Sequence, residues 1–181
     1  PENVTSIIGI GNPLIDITAQ FDKESIEKLG IEIGRTVFAN EENKDFFRNL
    51  EKKPEVSYTP GGSIQNALRV ASWCLKMNNK NKNNNKLTLL GCVGDDRYKE
   101  KIFNALNDCG VTPLLETIKG VETSRCGVAV YKKERCYLIP AIKASSHLSE
   151  KFIEEHKEEI YNHDALLIEG YCVKEKFDLC K

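Results

Sequence analysis

What this sequence lacks excludes several classes of protein at once. No apolar run approaches the roughly 20 residues that a membrane-spanning helix needs. Basic residues are not in surplus, since 26 Lys and Arg face 27 Asp and Glu for a net charge of −1. A general nucleic-acid binder would carry a basic excess, so that class drops away. The seven cysteines are odd in number, and no two stand as C-x-x-C. This pattern speaks against a disulfide framework and against a zinc knuckle. Most of them lie in apolar runs, where cysteine acts as a small hydrophobe, and a reducing, cytoplasmic setting follows as the expectation. The start, Pro1-Glu2-Asn3-Val4-Thr5, has neither the basic patch nor the apolar stretch of a secretory signal. Methionine occurs once, at Met77, and the expectation is that a starting Met was removed before Pro1 or that the start is trimmed. Lys174 to Lys181 reads as the opening of a helix cut short, and the chain is expected to be incomplete on its C-terminal side.

What is present suits a folded α/β unit. The 181 residues are 40% apolar and 29% charged, enough for one core and a solvated surface. Ser6 to Gly11 is a short apolar run that reads as a buried strand, closed by Asn12-Pro13. Leu14 to Phe21 alternates as a half-exposed strand does. Asp22 caps a helix over Lys23 to Leu29. Arg35 to Ala39 is a further short strand, and Asn40 caps a helix through Glu51 with Phe46, Phe47 and Leu50 on one face. Val56 to Thr59 is strand-like. A long helix over Ile64 to Met77 carries Ile64, Ala67, Leu68, Ala71 and Leu75 at helical spacing. Asn78 to Lys86 holds only Asn and Lys and reads as a solvated, disordered loop.

Leu87 to Gly94 predicts a second buried strand. Asp95 and Asp96 open a helix through Leu106, and Val111 to Ile118 is a third strand. Arg125 to Lys132 and Arg135 to Ile142 form a hairpin about Lys133-Glu134. Ser149 caps one helix from Glu150 to Tyr161, and Asp164 to Tyr171 is another buried strand. Buried strands alternating with helices imply a parallel α/β sheet. The alternating strands near 14–21, 35–39 and 125–142 imply a second, small antiparallel sheet that could cover a site.

Three glycine-containing segments could carry chemistry. Gly9-Ile10-Gly11-Asn12-Pro13-Leu14 ends a strand where parallel sheets usually bind ligands. It lacks the third glycine of a dinucleotide-binding turn, because Leu14 stands there. Asn12 and Asp16 offer an amide and a carboxylate, and a carboxylate suits a vicinal diol; the plainer alternative is that both only stabilise a turn. Pro60-Gly61-Gly62-Ser63-Ile64-Gln65-Asn66-Ala67 precedes a long helix whose N-terminus presents unpaired N–H groups. Ser63 caps that helix and Asn66 lies one turn in; a common capped turn explains this segment equally. Gly91-Cys92-Val93-Gly94-Asp95-Asp96 is satisfied as a strand-to-helix turn with an acidic first turn. Arg135, on the hairpin, is either a solvated surface residue or a phosphate clamp on a lid.

Taken together, Asn12-Pro13-Leu14-Ile15-Asp16, Gly61-Gly62-Ser63-Ile64-Gln65-Asn66-Ala67 and Gly91-Cys92-Val93-Gly94-Asp95-Asp96 resemble the ribokinase-type carbohydrate kinases, and within them the nucleoside-phosphorylating members. The resemblance covers the whole chain but only about the first half of such a kinase. It implies a ribokinase-like α/β fold with a small antiparallel β lid, all of 1–181 belonging to one domain. It implies ATP-dependent, Mg²⁺-assisted phosphorylation of the 5′-hydroxyl of adenosine to AMP, as in purine salvage, by a cytoplasmic protein that is a monomer when complete. Asp16 and Asn12 would bind ribose hydroxyls, with Gly62 and Asn66 completing that site. Ser63 would approach the base, with Leu14, Thr36, Phe38, Cys126 and Leu138 lining the pocket and Pro140 a further lid contact. Thr36 stands where the family often has glutamine. Lys99 replaces a customary glycine. Arg135 would reach the transferred phosphate.

The family's catalytic base is an aspartate in Gly-Ala-Gly-Asp, and no Gly-x-Gly-Asp occurs in this chain. The base, the ATP site and the Mg²⁺ site are therefore expected outside it, with no catalytic or metal-ligating residue here. Rival readings are another ribokinase-type kinase acting on a sugar or a different nucleoside, a non-catalytic nucleoside-binding fragment, and an α/β domain without a site.

Overall fold

The computed structural model describes residues 4–30, 32–38, 46–78, 85–139 and 143–175. The chain runs β1 (Ser6–Ile10), β2 (Leu14–Gln20), α1 (Lys23–Lys28), β3 (Thr36–Phe38), α2 (Phe46–Glu51), β4 (Ser57–Gly61) and α3 (Ser63–Asn78). It continues through β5 (Lys86–Gly94), α4 (Arg97–Cys109), β6 (Thr112–Ile118), β7 (Arg125–Tyr131) and β8 (Glu134–Ile139). After a 3₁₀ turn at Ala144–His147 come α5 (Glu150–Glu155), α6 (Lys157–Tyr161), β9 (Ala165–Ile168) and α7 (Gly170–Glu175).

Two sheets result. The first has the order β6-β5-β1-β9 and is parallel throughout. β5 is buried along almost its whole length, as a strand covered on both faces should be. The second has the order β3-β8-β7-β2-β4. In β2 burial alternates residue by residue: Ile15, Ile17 and Ala19 face the core while Leu14, Asp16 and Thr18 face the other side. One apolar cluster joins these β2 residues to Phe46, Phe47 and Leu50 of α2 and to Ile64 and Leu68 of α3. A second cluster packs Ile8 and Ile10 of β1 and Leu90 and Cys92 of β5 against Ala144, Leu148 and Cys172.

Polar clamps hold the sheets together. Asp96 caps α4 by accepting the Tyr98 N–H, and its carboxylate also accepts the N–H and hydroxyl of Thr123 at 2.8 and 2.9 Å. Arg125, at the start of β7, lies over the rings of Phe47 and Tyr98 and pairs with Glu122 at 3.1 Å. The Tyr98 hydroxyl donates to Glu51, which also pairs with Arg97. α2, α4 and β7 are thereby locked to one another.

Four expectations are corrected. The second sheet, expected to be small and antiparallel, has five strands to the first sheet's four among the described residues and is mixed: β2–β7 and β3–β8 are parallel, while β2–β4 and β7–β8 are antiparallel. It also recruits β4, whose Pro60-Gly61 end pairs with Ile15 and Leu14. Alternation reports a half-buried face and carries no information on strand direction. The single helix over Glu150 to Tyr161 is two. At His156 the backbone N–H turns to the Ile153 carbonyl, and the ring Nδ1 sits 2.7 Å from the Phe152 carbonyl that a continuing helix would use. The strand expected over Asp164 to Tyr171 ends at Ile168, and α7 begins at Gly170. Among the described residues β9 pairs with β1 alone, and its Leu166 and Leu167 are 50% and 43% exposed. The β7–β8 turn falls one residue earlier than read, at Lys132-Lys133. The helix start at Asn40 and residues 79–84 of the Asn/Lys tract lie outside the described residues.

Candidate functional site

The first sheet delivers the chain to its carboxyl edge at Ile10, and β2 departs for the second sheet at Leu14. The turn between, Gly11-Asn12-Pro13, is buried. Asn12 is 5% exposed; its backbone N–H donates to Glu169 Oε2 at 2.8 Å, and among the described residues its side-chain Nδ2 has no partner. The Pro13 carbonyl accepts from the Ser145 hydroxyl at 3.2 Å, which fixes the far side of the turn.

β4 brings the second glycine segment to the same place. Leu14 pairs with Gly61 and Asp16 with Thr59. The Asp16 carboxylate lies over Gly61, its Oδ2 2.5 Å from where a Cβ would stand. Gly62 adopts φ +96°, a backbone conformation that L side chains rarely take, and a Cβ there would meet the Asn12 carbonyl oxygen at 2.7 Å and Leu14 Cγ at 3.6 Å. Gly62 is thus required by its backbone conformation and the Asn12 carbonyl, while Gly61 leaves the room that the Asp16 carboxylate takes. α3 then begins at Ser63, which is exposed and is the first helical residue instead of the cap before it. The turn is held by Gln65, whose Nε2 donates to the Gly61 carbonyl at 3.0 Å, and by the Asn66 N–H on the Gly62 carbonyl at 3.1 Å. Asn66 is exposed, and its Oδ1 accepts from Arg69 at 3.4 Å.

Cys126 of β7 stands in register with Asp16 on the other side of β2. Burial raises the Asp16 carboxyl above its ordinary range, and a hydrogen bond with the Cys126 thiol and the charge of Arg135 pull it partly back. Burial and the adjoining carboxylate push the Cys126 thiol up to about 12. Arg135 is exposed on β8, two strands from β2, paired across the hairpin with Val130.

Asn12, Leu14, Asp16, Gly62 and Cys126 are therefore gathered into one cup, with Asn66 at its rim; Arg135 stands in the row of Val130 and Gln20, and its charge is the smallest of the influences on the Asp16 carboxyl. Thr36 is not gathered. It lies exposed on β3, three strands from β2, about 14 Å at the usual strand spacing. Phe38 pairs with Ile139, and Leu138 with Gly127 and Val37, the row alternate to that of Thr36. The side chains of Phe38 and Leu138, and all of Pro140, lie outside the described residues.

The sequence reading missed Glu169 and Gln65. Glu169 directly follows the apolar run Ala165–Ile168, so a carboxylate at the carboxyl end of a parallel strand was a usable signal. Gln65 was hidden because a buried, partly satisfied amide on a helix has no sequence signature. Among the described residues no three His, Cys, Asp or Glu side chains form a metal-binding group, and no helix is long and apolar enough to cross a membrane.

A family model for pfkB family carbohydrate kinases matches residues 23–178. Adenosine kinase 2 of Arabidopsis thaliana is 30% identical over 129 residues, covering 71% of this chain and 36% of its own length. The adenosine kinase of Schizophyllum commune is 30% identical over 147 residues, covering 81% of this chain and 39% of its own. The apo structure of Trypanosoma brucei brucei adenosine kinase superposes with a TM-score of 0.89 at 26% identity, over 99% of this chain and 53% of that one. The chain thus spans well under half the length of these curated relatives and about half of the solved structure. The α/β architecture superposes on that of a solved relative and the family model matches residues 23–178, so the chain belongs to the pfkB family of carbohydrate kinases.

Proposed function

We propose that this chain is the nucleoside-binding part of a kinase that transfers a phosphoryl group from ATP to the 5′-hydroxyl of adenosine. The observation that carries the reading is the cup itself. A half-buried carboxylate seated on Gly61 and an unpartnered Asn12 amide meet at one strand exit and one glycine-led helix start. A carboxylate there accepts hydrogen bonds from adjacent sugar hydroxyls, and the Asn12 amide donates one. A ligand that makes these bonds relieves the cost of leaving buried polar groups unpaired. The relatives named adenosine kinase favour a purine nucleoside over a bare sugar.

In this reading Asp16 and Asn12 orient the ribose, Gly61 and Gly62 let it approach the backbone, and Arg135 lies toward the transferred phosphate. ATP use follows from the family, and Mg²⁺ is its usual companion in phosphoryl transfer. Among the described residues no three His, Cys, Asp or Glu side chains group around a metal position, and no step is assigned to ATP or Mg²⁺. A cytoplasmic setting fits the described cysteines, all of which are free thiols.

Calorimetric titration of the chain with adenosine, inosine and ribose tests the reading. Adenosine is expected to bind and ribose to bind more weakly; absence of adenosine binding overturns it. A second reading, a binding fragment without turnover, is favoured by the lack of Gly-x-Gly-Asp. On either reading these 181 residues alone form no AMP above background.

A further inference from the structure

We propose that Glu169 is a positioning residue for the cup, holding the Gly11-Asn12 turn so that the Asn12 side-chain amide is presented to a ligand hydroxyl. The inference rests on the nucleoside-binding reading of the cup. It begins from what becomes of the backbone donors where β1 ends. Ile10 pairs with Leu90 on one side and Ile168 on the other. Past it, the Gly11 N–H still finds a strand acceptor, the Leu90 carbonyl at 3.2 Å. The Asn12 N–H does not, because the chain is already leaving the sheet. A buried N–H without an acceptor costs free energy, and here the acceptor is supplied by Glu169 Oε2 at 2.8 Å.

Glu169 is well placed for this. It is one residue past β9 and only 9% exposed, and its own N–H donates to the Ile10 carbonyl at 3.0 Å. Its side chain fills the space above Gly11, with Cβ 2.8 Å from where a Gly11 Cβ would stand. The missing side chain at Gly11 is therefore what lets the carboxylate reach Asn12. Because the backbone N–H is occupied by Glu169, the side-chain Nδ2 is the donor of Asn12 left for a ligand. Glu169 would act through Asn12, with no need to touch the ligand.

The test compares Glu169→Ala and Glu169→Gln in the chain by amide hydrogen exchange and adenosine titration. In Glu169→Ala the Asn12 amide should exchange about tenfold faster or more while Gly11, bonded to Leu90, stays protected. Adenosine binding should weaken about tenfold, the loss of one charge-assisted hydrogen bond, and Glu169→Gln, which keeps an acceptor oxygen, should recover to within about threefold. Wild-type adenosine binding in Glu169→Ala overturns the proposal, and so does a Glu169→Gln as weak as the alanine variant. If the wild-type chain binds no adenosine, the functional reading fails, and unchanged Asn12 exchange in Glu169→Ala overturns the positioning role separately. Should Glu169→Ala not fold, Glu169→Gln decides alone. Its Asn12 amide proton resonance must move upfield with that of Gly11 unmoved, and an unmoved Asn12 resonance overturns the proposal.

Discussion

The Asp16 carboxylate occupies the space that a side chain at Gly61 would fill, with all three of its carboxyl atoms within 2.7 Å of the missing Cβ. Strand pairing of Leu14 with Gly61 forces this closeness, so the acid and the glycine behave as one unit. Gly61→Ala should push the carboxylate out of the cup and weaken adenosine binding about tenfold or more. Thermal melting should change little, because the end of a short side chain moves and the buried face of β2 does not. Adenosine affinity equal to wild type would separate Gly61 from the site.

Asp16 illustrates a conflict between stability and binding. Its carboxyl is raised by burial, so the folded state holds the proton more tightly than the unfolded chain. The sign is the reverse of the usual carboxylate: ionised Asp16 disfavours the fold at neutral pH, and this penalty fades as pH falls through the raised value. Asp16→Asn should therefore melt at a higher temperature than wild type at pH 7, with the gap closing near about pH 4. The same variant should bind adenosine about tenfold more weakly. A melting temperature below wild type at pH 7 contradicts the burial argument.

The legible and hidden parts of this molecule divide along physical lines. β1, β5 and α3 were readable because burial leaves a periodic trace: continuous apolar runs in the first two, Ile64 and Leu68 one turn apart in the third. Local punctuation marked the strand exit at Asn12 and Asp16 and the glycine-led helix start at Gly62 separately, and it was the resemblance to the ribokinase-type kinases that implied their grouping. The direction of β7 beside β2 was not, since pleating looks the same in both orientations. The break at His156 depends on one ring nitrogen approaching the Phe152 carbonyl. Glu169 reaches Asn12 across 157 positions of sequence, a distance no local pattern spans.

Asp164 anchors the opposite end of β1. One of its oxygens accepts the N–H groups of Thr5 and Ser6, each at 2.9 Å, and the Thr5 hydroxyl at 3.2 Å. These bonds hold its carboxyl down to about 2. A depressed value stabilises the fold above the unfolded carboxyl range, and the contribution is lost as pH falls toward 2. Asp164→Ala should lower the melting temperature at pH 7, and the difference should shrink between about pH 4 and pH 2. A pH-independent difference would point to packing instead of charge.

Cys126 and Cys74 should differ in chemistry. Cys74 is exposed on α3, whereas Cys126 is buried against Asp16 with its thiol near 12. At pH 8 only about one Cys126 in ten thousand would be a thiolate, the form that reacts. Iodoacetamide at pH 8 followed by peptide mass mapping should label Cys74 at least about a hundredfold faster. Comparable labelling of the two would mean that the cup is open at Cys126.

Arg135 acts on the cup through charge, since its guanidinium lowers the Asp16 carboxyl against the larger effect of burial. Removing it should let that carboxyl rise further, moving the acid limb of adenosine binding to higher pH. On the proposed reading, in a full-length kinase that contains this chain, Arg135→Ala should also lower kcat about tenfold or more while leaving nucleoside affinity at neutral pH within about threefold. That split distinguishes a residue directed at the phosphate, where charge develops during transfer, from one that holds the ribose. A loss confined to affinity, with kcat unchanged, would place Arg135 beside Asp16 as part of the sugar site.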